Sequence, residues 1–166
     1  DYLEYFVIIL KKGHLKKNPL VRIHSQCITG DILDSLKCDC GSQLKKSIEM
    51  MSNDGGLLLY MPEEGRNIGL LNKLRAYEFQ FHNIDTIDAN YALGFDADQR
   101  RHENACELLR LLGVNSIKLI TNNPEKISQV QKGGINVIES VQIKVKVPAE
   151  AKKYLETKKF RSGHNL

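Results

Sequence analysis

At 166 residues, with a formal charge of +4, 42% apolar and 27% charged side chains, the sequence has the composition of a globular domain able to bury a proper core. No apolar run approaches membrane-spanning length. The first residues carry no basic-then-apolar leader with a cleavage site, and four cysteines are too few for a secreted disulfide scaffold. These features predict one domain over residues 1–166 in a reducing cytoplasm, without a membrane partner. The first residue is Asp1 rather than methionine, which leaves a longer parent chain open. Lysine clusters at 11–17 and 144–159 permit an anionic ligand or nucleic acid without demanding either.

Residues 5–10 read as a strand, followed by a polar turn through Gly13, and residues 20–24 as a second strand. Alternate side chains of a strand share a face. Val21 and Ile23 therefore point to the core, and Arg22 and His24 point together toward the next segment. That segment carries Cys27, then Cys38 and Cys40, a Cys-x10-Cys-x-Cys spacing. Three thiolates this close can hold a zinc ion. No fourth ligand lies nearby, and a site with three protein ligands leaves one position for water. Such a site supplies hydroxide near neutral pH, which points to hydrolysis. Cys38 and Cys40 are too close for an easy mutual disulfide. Lys37, Asp39 and Gly41 make a polar, turn-like setting, poor for a core. Cys106 sits in an apolar helical pattern and reads as a small buried residue.

Residues 42–52 form a helical pattern through Leu44, Ile48 and Met51, stopped by Asp54-Gly55-Gly56, with a buried strand over 57–61. A polar loop, 62–69, precedes a helix with Leu70, Leu74, Tyr77 and Phe81 on one inward stripe. Amides at a helix start and the Arg66 guanidinium attract phosphate. The Gly-Lys-Ser/Thr ending of a Walker loop is missing, and a solvent turn with a Glu64–Arg66 pair explains the segment equally well. Residues 85–89 read as a short strand. Asp98, among the acids and arginines of 94–101, reads as a general base or, more simply, as a helix cap paired with Arg100. Residues 104–112 form a helix with Ala105, Leu108, Leu109 and Leu112 inward, and 117–121 a strand. Asn122-Asn123-Pro124 opens a helix running to 132. At the carboxyl end of that strand Thr121 and Lys126 face a ligand, Lys126 a phosphate, unless they are a cap and an exposed lysine. Strands over 135–138 and 143–147 and a helix over 149–159 complete the chain. Helices alternating with short apolar strands predict an α/β fold, a mixed central sheet flanked by helices.

In order, Arg22-Ile-His24-Ser-Gln-Cys27-Ile-Thr-Gly-Asp31, Lys37-Cys38-Asp-Cys40-Gly41, Glu64-Gly65-Arg66-Asn-Ile-Gly69 through Tyr77, Leu93 through Arg100, and Leu119-Ile-Thr121-Asn-Asn-Pro124-Glu-Lys126 resemble the GTP cyclohydrolase II family. Tyr154-Leu155 and Lys158 through His164 are similar to the family's tail. The resemblance implies a homodimeric enzyme that opens the guanine imidazole ring of GTP at C8. It would release formate and pyrophosphate and leave a diaminopyrimidinone ribosylamino 5′-phosphate, the first step of riboflavin biosynthesis. It implies zinc on Cys27, Cys38 and Cys40, with water in the fourth position, and Mg²⁺ with the triphosphate. Arg22, His24, Ser25, Gln26, Gln43, Glu64, Gly65, Arg66, Thr86, Thr121 and Lys126 would contact GTP. Asp98 would accept a proton, Tyr77 would assist at the ring, and Arg100 would act at the α-phosphate. A guanidinium stays protonated, so charge stabilisation suits Arg100 better than covalent attack.

Two segments depart from the family's pattern. Gln26 stands where glutamate is common, and Met61-Pro62-Glu63 where an arginine-glutamine pair is usual. Neither touches the cysteines, Tyr77, Asp98 or Arg100, so an active enzyme is expected, with a degenerate non-catalytic relative as the alternative. A zinc-stabilised nucleic-acid-binding module would need a fourth ligand and clustered aromatics for base stacking. The chain has no tryptophan and scattered aromatics, so no nucleic-acid partner is expected. A domain cut from a bifunctional riboflavin enzyme remains open.

Overall fold

The computed structural model describes residues 4–10, 15–82, 84–146 and 148–163. The turn expected through Gly13 and the family-like His164 lie outside the described residues. Five strands form one sheet: β1 (Phe6–Leu10), β2 (Leu20–Ser25), β3 (Gly56–Met61), β4 (Ser116–Ile120) and β5 (Asn136–Val141), in the order β1-β3-β2-β4-β5. β1 runs antiparallel to β3, and every other pairing is parallel. The sheet is therefore mixed, as expected. The parallel centre is covered on both faces, which is why Leu57, Leu58 and Leu59 of β3 are all buried.

The period-2 reading of β2 holds. Val21 and Ile23 join Leu57, Leu59, Ile117 and Leu119 on one face, packed against Ala105, Cys106, Leu109 and Val130. These come from α6 (Glu103–Leu111) and α7 (Pro124–Lys132). On the other face Leu58 and Ile120 meet Met51 of α2 (Cys40–Asp54) and Ile143. Arg22 pairs in register with Leu58 and His24 with Tyr60, so both point to the α2 side.

The structure corrects four expectations. Residues 85–89 belong to a helix, α5 (Thr86–Ala92), not a strand. The Asp85 carboxylate accepts from the Ile87 and Asp88 amides at 2.8 and 3.0 Å, and that cap outweighs the strand preference of Thr86 and Ile87. No strand covers 143–146, and Val147 lies outside the described residues. Although Ile143 and Val145 face the core, the Asn122 side chain takes the backbone's bonds. Its Nδ2 donates to Ile143 O at 2.7 Å, and its Oδ1 accepts from Ile143 N at 2.9 Å. Leu112, expected inward, is 40% exposed, while Cys106 is buried beside Ala105 and Leu109, as expected. In α4 (Gly69–Phe81) the stripe is not wholly inward: Leu74 is 46% and Phe81 75% exposed, and Ala76 is buried instead.

Candidate functional site

Cys27 follows β2 and precedes the single turn α1 (Ile28–Asp31), Cys38 lies in the next turn, and Cys40 opens α2. Their sulfurs all lie within 4.8 Å of one another, with Cys27 Sγ 3.7 Å from Cys38 Sγ. Two thiolates on one tetrahedral zinc, each at about 2.3 Å, sit about 3.8 Å apart, so the spacing suits that ion. A Cβ on Gly30 would lie 2.8 Å from Cys38 Sγ and 3.1 Å from Cys27 Sγ; only glycine leaves the sulfurs room. Bonds from Cys38 and Cys40, helped by the Lys73 ammonium, pull the Cys27 thiol far down. Contact with Cys27 and burial push the Cys38 thiol up, and contacts with Cys27 and Cys38 together with burial push Cys40 up. Crowded thiols resist becoming thiolates together, and a shared cation removes that resistance. The donor set and its spacing therefore fit zinc.

Asp31 braces this corner. Its carboxylate accepts from His24 Nε2 at 3.0 Å, Tyr60 Oη at 2.9 Å and the Cys27 amide at 3.0 Å. Burial lowers the His24 pKa, and its Nδ1 is buried with no partner among the described residues.

Every residue singled out from the sequence lines one cavity of about 260 Å³, with the three cysteines in its wall. Arg22 reaches it across α2: its Nη2 donates to Gln43 Oε1 at 2.7 Å and its Nη1 to Ile120 O at 3.1 Å. Ser25 Oγ donates to Glu63 at 2.9 Å, and the Gln26 amide donates to Met61 O at 2.8 Å. The atypical Glu63 thus places a buried carboxylate beside Ser25.

Between β3 and α4 lies a four-residue turn, α3 (Glu64–Asn67). Gly65, Arg66 and Asn67 take left-handed φ of 61°, 62° and 72°, a costly run for residues with a Cβ. The turn is strapped down: Arg66 Nη1 donates to Ala97 O at 3.0 Å, and the Gln99 amide donates to Arg66 O at 3.2 Å. These straps also hold the 97–99 segment that carries Asp98. No Glu64–Arg66 pair forms. Glu64 instead accepts from Ile28 N at 2.6 Å, Gly65 N at 2.9 Å and Lys73 Nζ at 2.8 Å.

Asp98 is not a helix cap, because α6 begins after His102. It pairs with Arg100, whose Nε donates at 2.8 Å and whose Nη2 adds a second contact. Burial pushes the Asp98 carboxyl up, but Arg100 outweighs it and holds it below the usual carboxylate range; Asp98 in turn raises Arg100 against its own burial. The pair is therefore ionised at neutral pH. Thr121 Oγ1 accepts from Asn123 N at 3.0 Å, and Asn123 caps α7 behind Pro124 as expected. Lys126 is buried rather than an exposed lysine, donating to Ile23 O at 2.9 Å. Burial, then Arg100 and Arg22, push its ammonium well below the usual lysine range. Lys126, Arg100 and Arg22 converge on the cavity, and although Asp98 pairs with Arg100 and Glu63 offsets part of the charge at Lys126, their mutual repulsion makes a setting that an anion relieves. Tyr77 Oη lies 3.2 Å from Thr29 Oγ1, and Thr86 opens α5 at the rim.

Sequence reasoning missed Lys73, which lies four residues before Tyr77 on the cavity face of α4. It donates to Cys27 Sγ at 3.0 Å and Thr29 Oγ1 at 2.8 Å. It missed Lys37, 4.8 Å above the Tyr77 ring, and Asp39, whose place between two cysteines was the available signal. Tyr154 and Lys158, read only as part of a familiar tail, also line the cavity.

The fold and this site define an α/β protein with a three-cysteine cluster, spaced to hold a metal ion, at the edge of a cation-lined cavity. It belongs to the GTP cyclohydrolase II family, whose model matches residues 4–142. The chain is 44% identical over 164 residues to the riboflavin biosynthesis protein RibBA of Staphylococcus epidermidis, covering 99% of this chain and 42% of that one. It is 42% identical over 163 residues to the RibBA of Staphylococcus aureus, again 42% of that relative. A GTP cyclohydrolase-2 of Haemophilus influenzae is 51% identical over 148 residues, 89% of this chain and 68% of the relative. The chain thus spans less than half the length of the RibBA relatives it matches.

Proposed function

We propose that this chain hydrolyses GTP, opening the guanine imidazole ring at C8 with release of formate and pyrophosphate, as the first step of riboflavin biosynthesis. The observation that carries this reading is the convergence of three thiols, the Asp98–Arg100 pair and the Arg22–Arg100–Lys126 cations on one cavity. Cys27, Cys38 and Cys40 would hold zinc, which when bound supplies a strong nucleophile from water near neutral pH.

The chain's own residues do the rest. Lys126, Arg22 and Arg66 draw the triphosphate, with its Mg²⁺, into the cavity. Arg100, locked as a cation by Asp98, spreads charge at the α-phosphate as the α–β bond breaks. The ionised Asp98 accepts a proton. His24, Ser25, Gln26, Gln43, Glu64, Gly65, Thr86 and Thr121 hold the nucleoside, and Tyr77, fixed at Thr29, steadies the opening ring. We assign this work to a single catalytic domain, acting as a cytoplasmic homodimer.

The test is direct. Purified protein supplied with zinc and Mg²⁺ releases formate from GTP, in step with pyrophosphate. A fully zinc-loaded protein that releases neither is a non-catalytic relative.

A further inference from the structure

We propose that Lys158, carried by the helix α8 (Lys152–Ser162), is a positioning residue for the nucleotide, acting through Asp39 and Gln43 on Arg22. The inference rests on the function proposed above. Lys158 Nζ donates to Asp39 Oδ1 at 2.9 Å. The other Asp39 oxygen accepts from Gln43 Nε2 at 2.6 Å, and Gln43 Oε1 accepts from Arg22 Nη2 at 2.7 Å. The last link ties Arg22 Nη1 to Ile120 O, at the end of β4.

Chemistry gives this chain of bonds one direction. A carboxylate offers only acceptors and a guanidinium only donors. The amide between them must therefore present its nitrogen to Asp39 and its oxygen to Arg22. The first partner is as constrained as the last: the Asp39 and Lys158 side chains are only 2% and 13% exposed. Without the ammonium, a buried carboxylate would keep only the amide. Asp39 would then be free to turn away, and Gln43 would lose the partner that aims it.

The helix is built to deliver this group. Lys158 Nζ sits 4.4 Å above the Tyr154 ring, and both residues line the cavity. One turn on, Arg161 pairs with Asp85 and, at 2.9 Å, with Asp88 of α5. α8 thus grips the cysteine loop with one cation and the helix bearing Thr86 with another.

The experiment uses the full zinc-loaded chain and three variants: Lys158→Met, Lys158→Arg, and Lys159→Met as the same charge change on the outer face of α8. KM and kcat for GTP, the Kd of a non-hydrolysable GTP analogue, zinc per chain and the melting temperature are measured. We expect Lys158→Met to raise KM and the analogue Kd about tenfold or more, to lower kcat by less, and to keep its zinc. Lys158→Arg recovers most of the affinity, and Lys159→Met behaves as the parent. If Lys158→Met does not fold, Lys158→Gln, which keeps a neutral donor, answers with the same readouts. Unchanged KM and Kd in a folded variant overturn the inference. So does an equal loss in Lys159→Met, or a loss of zinc and kcat at constant KM. A parent that turns over GTP beside an unaffected Lys158→Met sinks this inference alone. A parent that neither binds nor converts GTP sinks the proposed function, and the inference with it.

Discussion

Lys73 Nζ lies 3.0 Å from Cys27 Sγ and 2.8 Å from the Glu64 carboxylate, so one ammonium joins the thiol cluster to the strained turn at the cavity's edge. Three thiolates outweigh a divalent ion by one negative charge, and a fixed cation offsets that excess. Outer-sphere partners of this kind contribute about ten- to a hundredfold in metal affinity. Lys73→Met should weaken zinc binding by about that factor in competition with a chromogenic chelator, and Lys73→Arg should lose less. Equal affinities for all three proteins would show that the contact is incidental.

Gly30 permits the approach of the sulfurs, because any Cβ there meets Cys38 Sγ at 2.8 Å. Gly30→Ala must displace a ligand or the backbone that carries it, an overpacking cost of about 1–3 kcal/mol. Elemental analysis should find well under one zinc per chain, and chemical denaturation should show a loss of that size. Full zinc content at parental stability would refute the steric argument.

Arg100 holds the Asp98 carboxyl below the usual carboxylate range against its burial. Asp98→Asn removes the proton acceptor and frees Arg100 from its counter-ion, but leaves the cavity's cations in place. Formate release should fall by about 10²–10⁴, while calorimetry finds binding of a GTP analogue retained or tightened. Parental turnover would remove Asp98 from the mechanism.

His102, at the start of α6, is buried, and its pKa is lowered to about 3, by burial first and then by Lys126 and Arg100. Unfolded, it titrates near about 6.5. The unfolded chain therefore binds the extra proton first as pH falls. The stability held by the neutral ring is complete above about 6.5 and drains away toward about 3, by at most about 1.4 kcal/mol per pH unit. Unfolding midpoints across this window should fall less steeply in His102→Gln than in the parent. Parallel curves would place the acid sensitivity elsewhere.

The parts of the site legible from the chain were those set by short-range rules. Alternation along β2 placed Arg22 and His24 on one face, and the cysteine spacing announced a cluster before any fold was known. Asn123-Pro124 marked the start of α7. Hidden were the features decided by partners far away. Thr86-Ile87 reads as strand until the Asp85 carboxylate is seen to cap it. Residues 143–147 read as strand until Asn122 is seen to occupy the backbone of Ile143. The rotation of α4, which buries Ala76 and aims Lys73 at a sulfur while exposing Phe81, follows from how the helix docks; hydrophobic spacing alone favoured the leucine stripe.

Lys158 and Asp39 meet across a sequence separation of 119 residues. Loop-closure entropy makes so distant a contact a late event in folding, after the local helices and neighbouring strands have formed. The cysteine corner is a short-range unit that can mature early, whereas the wall opposite waits for α8 to arrive. The three cysteines come from one short stretch of chain, whereas the wall that faces them is completed by a helix from the far end of the sequence, so trimming that end would open the cavity without removing a single sulfur.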